Sequence, residues 1–156
     1  ETMVLAPAAP SIPIRYYSNV NFRPMSWHEL SGKNIRVVDA NRTIAVRADE
    51  EYCNAYVFSS RPLKCGEKIV IQVLGIERSF IGGLAVGFTA CDPREVTRED
   101  LPDDSDMLLD RKEYWVVNKD VCRTPEIGDE LCFHLTLNGR SNFQKRTLQF
   151  YSKLKF

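Results

Sequence analysis

Two histidines, five cysteines and one acidic run are the residues of this 156-residue chain whose types could do chemistry. A histidine beside a serine or cysteine is the start of a nucleophilic centre, because imidazole titrates near neutral pH. His28 follows Trp27, and His134 falls on the polar side of an alternating stretch. Any nucleophile for either would have to be brought there by the fold, and ordinary surface or strand histidines are the simpler reading. Cys53, Cys65, Cys91, Cys122 and Cys132 contain no C-x-x-C pair. That spacing argues against a zinc ribbon, a RING or a disulfide framework, and it suits reduced thiols in a cytosolic protein. Asp103-Asp104-Ser105-Asp106 lacks the spacing and the glycine of an EF-hand, so it reads as solvated loop. Gly82-Gly83-Leu84-Ala85-Val86-Gly87 lacks the Lys-Ser/Thr of a phosphate loop. Its glycines read as strand punctuation: Gly82 and Gly83 for a turn, Gly87 to admit a large neighbour such as Trp115. No catalytic residue, metal ligand or cofactor follows from these patterns.

Binding is the chemistry left. The stretch Gly75–Ile81 places Glu77, Arg78 and Phe80 together, an aromatic side chain with flanking charges. Arginine and exposed aromatics are frequent anchors of protein interfaces, although Phe80 is equally suited to the core.

Short alternating strands are the elements that must carry such a loop. Ile35/Val37, Ile44/Val46, Tyr56/Phe58, Ile69/Ile71/Val73 and Leu84/Val86/Phe88 each repeat with period two, with turn residues between them. Leu131/Phe133/Leu135/Leu137 and Leu148/Phe150/Ser152/Leu154/Phe156 do the same late in the chain. A period of two with one apolar face marks antiparallel sheet. Thr97-Arg98-Glu99-Asp100 caps at most one helical turn before Pro102, and Glu95–Glu113 reads as a long surface loop. The pattern predicts an all-β, antiparallel β-sandwich with little helix. A hairpin through Asn138-Gly139 is expected to join Leu131–Leu137 to the final strand.

Composition sets the outer bounds. Lysine plus arginine and aspartate plus glutamate both total 21, so no overall field draws the chain to nucleic acid or anionic lipid. The charge is uneven: Glu95–Glu113 holds eight acids against three bases, and Arg140–Phe156 five bases and no acid. These are either solvated patches or, for the basic tail, a contact with a membrane or an acidic partner. Four of eight prolines fall in residues 1–24, which read as a linker or arm, with Ile14–Tyr17 as a possible edge strand. Residues 25–156 read as one domain. The first residue is Glu and ETMVLAPAAP lacks the features of a signal peptide, so a piece of a larger cytoplasmic protein is expected.

A set of motifs carries a resemblance. His28, Gly32-x-Asn34-Ile35, Ala45-x-Arg47, Val57-Phe58-Ser59-x-Arg61-Pro62-Leu63 and Gly66-Glu67 appear in order. Gly82-Gly83-Leu84-x-Val86-Gly87-Phe88-Thr89, Asp92-Pro93, Leu101-Pro102, Tyr114-Trp115 and Gly128-Asp129 follow. From about Trp27 to Gly139 the chain resembles the neuralized homology repeat, NHR. That resemblance implies a SPRY-like, lectin-like sandwich acting as a non-catalytic interaction module. The family's ubiquitin ligases carry a separate RING, and their repeats recruit cytoplasmic tails of Notch ligands such as Delta, or Bearded-type inhibitors. Ubiquitination of the tail then promotes its endocytosis, at the plasma membrane. Asn34 and Arg47, within the shared motifs, join Glu77, Arg78 and Phe80 as candidate partner-binding residues. Two departures stand out: Phe80-Ile81 precedes the paired glycines where the family has tryptophan, and residues 141–156 differ from the family ending. An ending that fails to complete the sheet would leave an open edge, which favours a homo-oligomer or a purely structural, self-associating repeat.

Overall fold

The computed structural model describes residues 21–48, 51, 53–76, 84–118, 124–134 and 149–153. Most of the 1–24 arm, Ile14–Tyr17, Gly82-Gly83, Asn138-Gly139 and the candidate residues Glu77, Arg78 and Phe80 lie outside the described residues.

Nine strands are described: β1 Trp27–Ser31, β2 Ile35–Val37, β3 Ala45–Arg47, β4 Tyr56–Ser59, β5 Lys68–Gln72, β6 Ala85–Thr89, β7 Tyr114–Asn118, β8 Glu130–His134 and β9 Gln149–Lys153. The helical content among them is two single 3-10 turns, Arg98–Asp100 and Ser105–Leu108. One five-stranded sheet runs in the order β1-β4-β9-β6-β7, beside two-stranded pairs β2-β3 and β5-β8. Every pairing is antiparallel. The all-β, antiparallel reading of the sequence therefore describes the molecule.

The large sheet is buried on both faces because successive side chains of a strand point opposite ways. On one face Val86 and Phe88 of β6 join Leu63 and Leu84, packed against Trp27, Trp115, Ile69 and Ile71 of β5, and Leu131 and Phe133 of β8. The β5-β8 register sets Ile69 opposite Phe133 and Ile71 opposite Leu131, so the two alternating stretches give one apolar surface. On the other face Tyr56, Phe58 and Tyr114 meet Leu101 and Leu108. Each such large side chain, when fully buried, is worth about 1.5–3 kcal/mol.

That second face adds to an expectation. Glu95–Glu113 is irregular and mostly exposed, as a surface loop should be, but it also packs as a cover: Leu101, Ser105 and Leu108 are buried at 4%, 2% and 0% exposure. One residue per turn of an irregular segment is enough to anchor it, while every one of its acids faces water. Proline and aspartate hide this from a search for regular period.

The final strand is a correction. β9 pairs with β4 and β6, in the middle of the sheet, and β8 pairs with β5 instead of with the tail. Alternation reports which side of a strand is buried, not which strand lies beside it. Nor does β9 leave the sheet open at that point. In the backbone register Gly87 stands opposite Val116 and Tyr151, and Trp115 opposite Phe88.

The outer edge of β1 is closed by the turn after β2. Arg42, at φ 56°, accepts Trp27 N–H on its own carbonyl at 2.7 Å. Its guanidinium donates to the carbonyls of Trp27 and His28 at 3.2 and 2.9 Å. Asp39 holds the same turn by accepting Thr43 and Ile44 N–H and the Thr43 hydroxyl. Desolvation works against it, yet these bonds keep the Asp39 carboxyl below its ordinary range.

Candidate functional site

Two of the five candidate binding residues are described, and the fold brings them together. Asn34 ends the Gly32-Lys33-Asn34 turn between β1 and β2, and Arg47 pairs with Ile35, its next residue, across β2-β3. Both direct polar atoms at one segment, residues 51–54. Asn34 Nδ2 donates to the carbonyl of Cys53 at 2.7 Å, and Arg47 Nη1 donates to the carbonyl of Glu51. Arg47 is buried at 6% exposure, so its visible work is to hold this loop in place.

The loop they hold presents Asn54, which sequence reasoning passed over. Its φ of 49° is left-handed, a conformation asparagine tolerates better than most residues. In that pose its carboxamide oxygen accepts Lys33 N–H at 2.9 Å and its Nδ2 donates to the carbonyl of Leu101 at 3.0 Å. Its backbone donates to the carbonyl of Asp103 and accepts Asn34 N–H, at 3.1 and 3.3 Å. Asn54 thus ties the β1-β2 turn to the cover. Its partners lie 21 and 47 residues away, so no local motif announces it.

Between turn and cover lies an open groove of about 390 Å³, lined by Lys33, Asn54, Arg98, Glu99, Leu101 and Asp103. Lys33 Nζ is 3.3 Å from an Asp103 carboxylate oxygen, an ion pair on the rim. Arg98 Nε donates to the carbonyl of Ser31 at 3.1 Å, fixing the guanidinium to the β1 end. A capping box steadies the next turn: Asp100 accepts both N–H and hydroxyl of Thr97 at 2.8 Å. Those bonds lower the Asp100 carboxyl from its usual value, against a smaller desolvation effect. One ammonium, one guanidinium, two carboxylates and a carboxamide over a leucine floor suit recognition of a polar chain.

The shifted groups elsewhere have structural causes. Hydrogen bonds from Arg94 take the Asp92 carboxyl down to about 2. Burial, with Cys91 beside it, pushes the Tyr114 phenol up to about 12. His28 is lowered by burial first, and its Nδ1 accepts Leu30 N–H at 2.9 Å. Among the described residues no three His, Cys, Asp or Glu side chains are grouped to hold a metal ion.

Comparison with known proteins places this geometry. The model of the Neuralized family matches residues 27–149. The chain is 43% identical over 133 residues to protein neuralized of Drosophila melanogaster, covering 85% of this chain and 18% of that protein. It is 37% identical over 115 residues to the human E3 ubiquitin-protein ligase NEURL1B, covering 74% of this chain and 20% of the relative. The chain thus spans about a fifth of the length of these relatives. Its fold is similar to the crystal structure of the Drosophila melanogaster neuralized NHR1 domain, with a TM-score of 0.70 at 23% identity over 86% of this chain and 93% of that one. The solution structure of the NHR domain in Neuralized from the same fly gives 0.67 at 25% identity, over 87% and 88%.

Proposed function

The chain belongs to the Neuralized family, and we propose from that premise that it is the non-catalytic, protein-binding module of a RING-type E3 ubiquitin ligase. Its task in this reading is to recruit the cytoplasmic tail of a Delta-like Notch ligand, or a Bearded-type regulator, so that a separate RING can direct ubiquitin to it. The work is done in the cytoplasm at the plasma membrane. The observation that carries the reading is one of proportion. A relative that shares this domain is an E3 ubiquitin-protein ligase, and the shared part is 20% of that relative. A domain of that share whose groove holds recognition chemistry fits substrate capture better than transfer.

The self-associating alternative drew on an unfilled sheet edge. It has less support where β9 occupies the sheet's centre and Arg42 covers the β1 edge.

Calorimetric titration of the chain with a Delta-type tail peptide tests the proposal, with amide chemical shifts to locate the contact. Saturable binding, weakened by Arg78→Ala or Phe80→Ala if the end loop takes part, is expected. A flat titration at high peptide concentration, with a concentration-dependent dimer by sedimentation, would hand the case to self-association.

A further inference from the structure

The β2-β3 hairpin is apolar on both sides. Its register sets Ile35, Val37, Ala45 and Arg47 on one face, and Arg36 and Val46 on the other. Val38 and Ile44 extend that second face, joined by the Val38 N–H bond to the Ile44 carbonyl at 3.1 Å. The first face turns inward, since Arg47 lies buried on it. The second turns outward: Arg36 is exposed, Val38 is 49% exposed, and Ile44 and Val46 are half-buried. Neither apolar cluster of the core takes in a hairpin residue. The outward face of a strand pair is ordinarily polar, and a face of Val38, Ile44 and Val46 beside a single charge needs a cover.

The point where the chain enters the fold selects the occupant. Trp27 is tied to the turn of this hairpin: its N–H donates to the Arg42 carbonyl at 2.7 Å, and its indole N–H to the Thr43 carbonyl at 3.1 Å. Met25 packs on the Leu84, Val86 and Phe88 cluster, and the arm precedes it. In the arm Ile12, Ile14 and Tyr16 alternate with Pro13, Arg15 and Tyr17, and the charges of its first 20 residues are Glu1 and Arg15. A sparsely charged, alternating segment is thus tethered beside a bare apolar face.

We infer that residues 12–17 of the arm dock across the outward face of the hairpin, with Ile12 and Ile14 against Val38, Ile44 and Val46. Arg36, the one charge on that face, suits the ring of Tyr16 or Tyr17. Ile14 lies 13 residues before Trp27, a span of up to about 40 Å at full extension. The strands of the hairpin are only about 10 Å long, so the reach is ample. A tether of this kind holds the segment at roughly millimolar effective concentration. A contact too small to retain a free peptide is then enough, because the translational cost of association is already met. The domain in this way covers its own apolar face and leaves the groove open to a partner.

Methyl NOE spectra of the whole 156-residue chain test this, with the rate of trypsin cleavage after Arg15 as a second reading. The inference expects contacts from the Ile12 and Ile14 methyls to those of Val38, Ile44 and Val46. They should persist on dilution and be absent between labelled and unlabelled copies. Val38→Asp places a charge at an exposed position; it should remove the contacts, leave melting unchanged and speed cleavage after Arg15 about tenfold. Ile14→Asp should do the same from the arm, and it decides the matter even if Val38→Asp unfolds. Val4→Asp, outside the docked stretch, should change neither reading. Arm methyls without contacts to the hairpin, with equal cleavage in all variants, overturn the inference. Contacts from Ile12 and Ile14 to Leu131 or Phe133 instead overturn it as well. Contacts seen only between copies overturn it and assign the face to a second molecule.

Discussion

A β-carbon on Gly32 would stand 2.0 Å from the carbonyl oxygen of Asn54 and 2.7 Å from its carbonyl carbon. The obstacle is backbone, so no side-chain rotation can relieve it. The backbones meet this closely because Gly32 and Asn34 donate to the carbonyls of Tyr56 and Asn54 at 2.9 and 3.3 Å, drawing the β1-β2 turn onto the chain that enters β4.

Gly32→Ala should therefore cost more than about 2 kcal/mol in urea unfolding, since the turn must move off Asn54. Asn54→Ala should cost about 2–4 kcal/mol, from the lost bonds to Lys33 and Leu101 and from a left-handed φ. Asn54→Gly keeps the second cost away and should sit about 1 kcal/mol above the alanine variant. Equal losses for Ala and Gly would show that the backbone conformation carries no strain.

Leu108 and Met107 are sequence neighbours with opposite fates, at 0% and 61% exposure. Leu108→Ala should lose about 2–5 kcal/mol, while Met107→Ala stays within about 0.5 kcal/mol. Comparable small losses for both would mean that the cover is not part of the core in solution.

Mild acidification should weaken the fold through His28. Burial lowers His28 from 6.5, helped by Arg42 and Arg94 and opposed by Glu29 and Asp92. The folded state thus binds its proton less readily than the unfolded chain. Stability is complete above 6.5 and is lost as pH falls from there through the folded value. Asp92, at about 2, stays ionised throughout that window. Denaturation curves between about pH 7.5 and about pH 5 should show the decline, and His28→Asn, which keeps an acceptor for Leu30 N–H but does not titrate, should flatten it. A decline as steep in the variant would assign it to another group.

Ending the chain at residue 148 deletes β9 and should abolish cooperative unfolding, not merely lower the midpoint. β4 and β6 each pair with β9 and not with each other, so its loss parts β1-β4 from β6-β7. A truncated chain that still melted sharply would disprove the central placement.

How far the sequence spoke depended on whether a signal was local. Ile69/Ile71 and Leu131/Phe133 announced a buried face, and they do face one another across β5 and β8. Thr97 and Asp100 announced a cap, which is present. The partners of β9 were not legible, because its alternation suits any apolar neighbour. Leu101, Ser105 and Leu108 were hidden by the acids between them. The groove was least legible of all: Ser31 and Arg98 meet across 67 residues, and Asn54 and Leu101 across 47. The family motifs marked Asn34 and Arg47, which brace the segment that carries Asn54, and so pointed beside the groove without naming its lining.

The placement of β9 also bears on how the chain is made. Synthesis runs from the first residue to the last, yet Tyr56 pairs with Lys153, and Ala85 pairs with the same Lys153 from the other side. While the ribosome works through the intervening residues, β4 and β6 wait with unsatisfied backbone groups toward an empty slot. The sheet can close only when β9 has left the exit tunnel, which makes its folding depend on long-range contacts. Until then, two nascent strands offer a template to any passing β-segment. A stop codon ahead of β9 would leave that template permanently open.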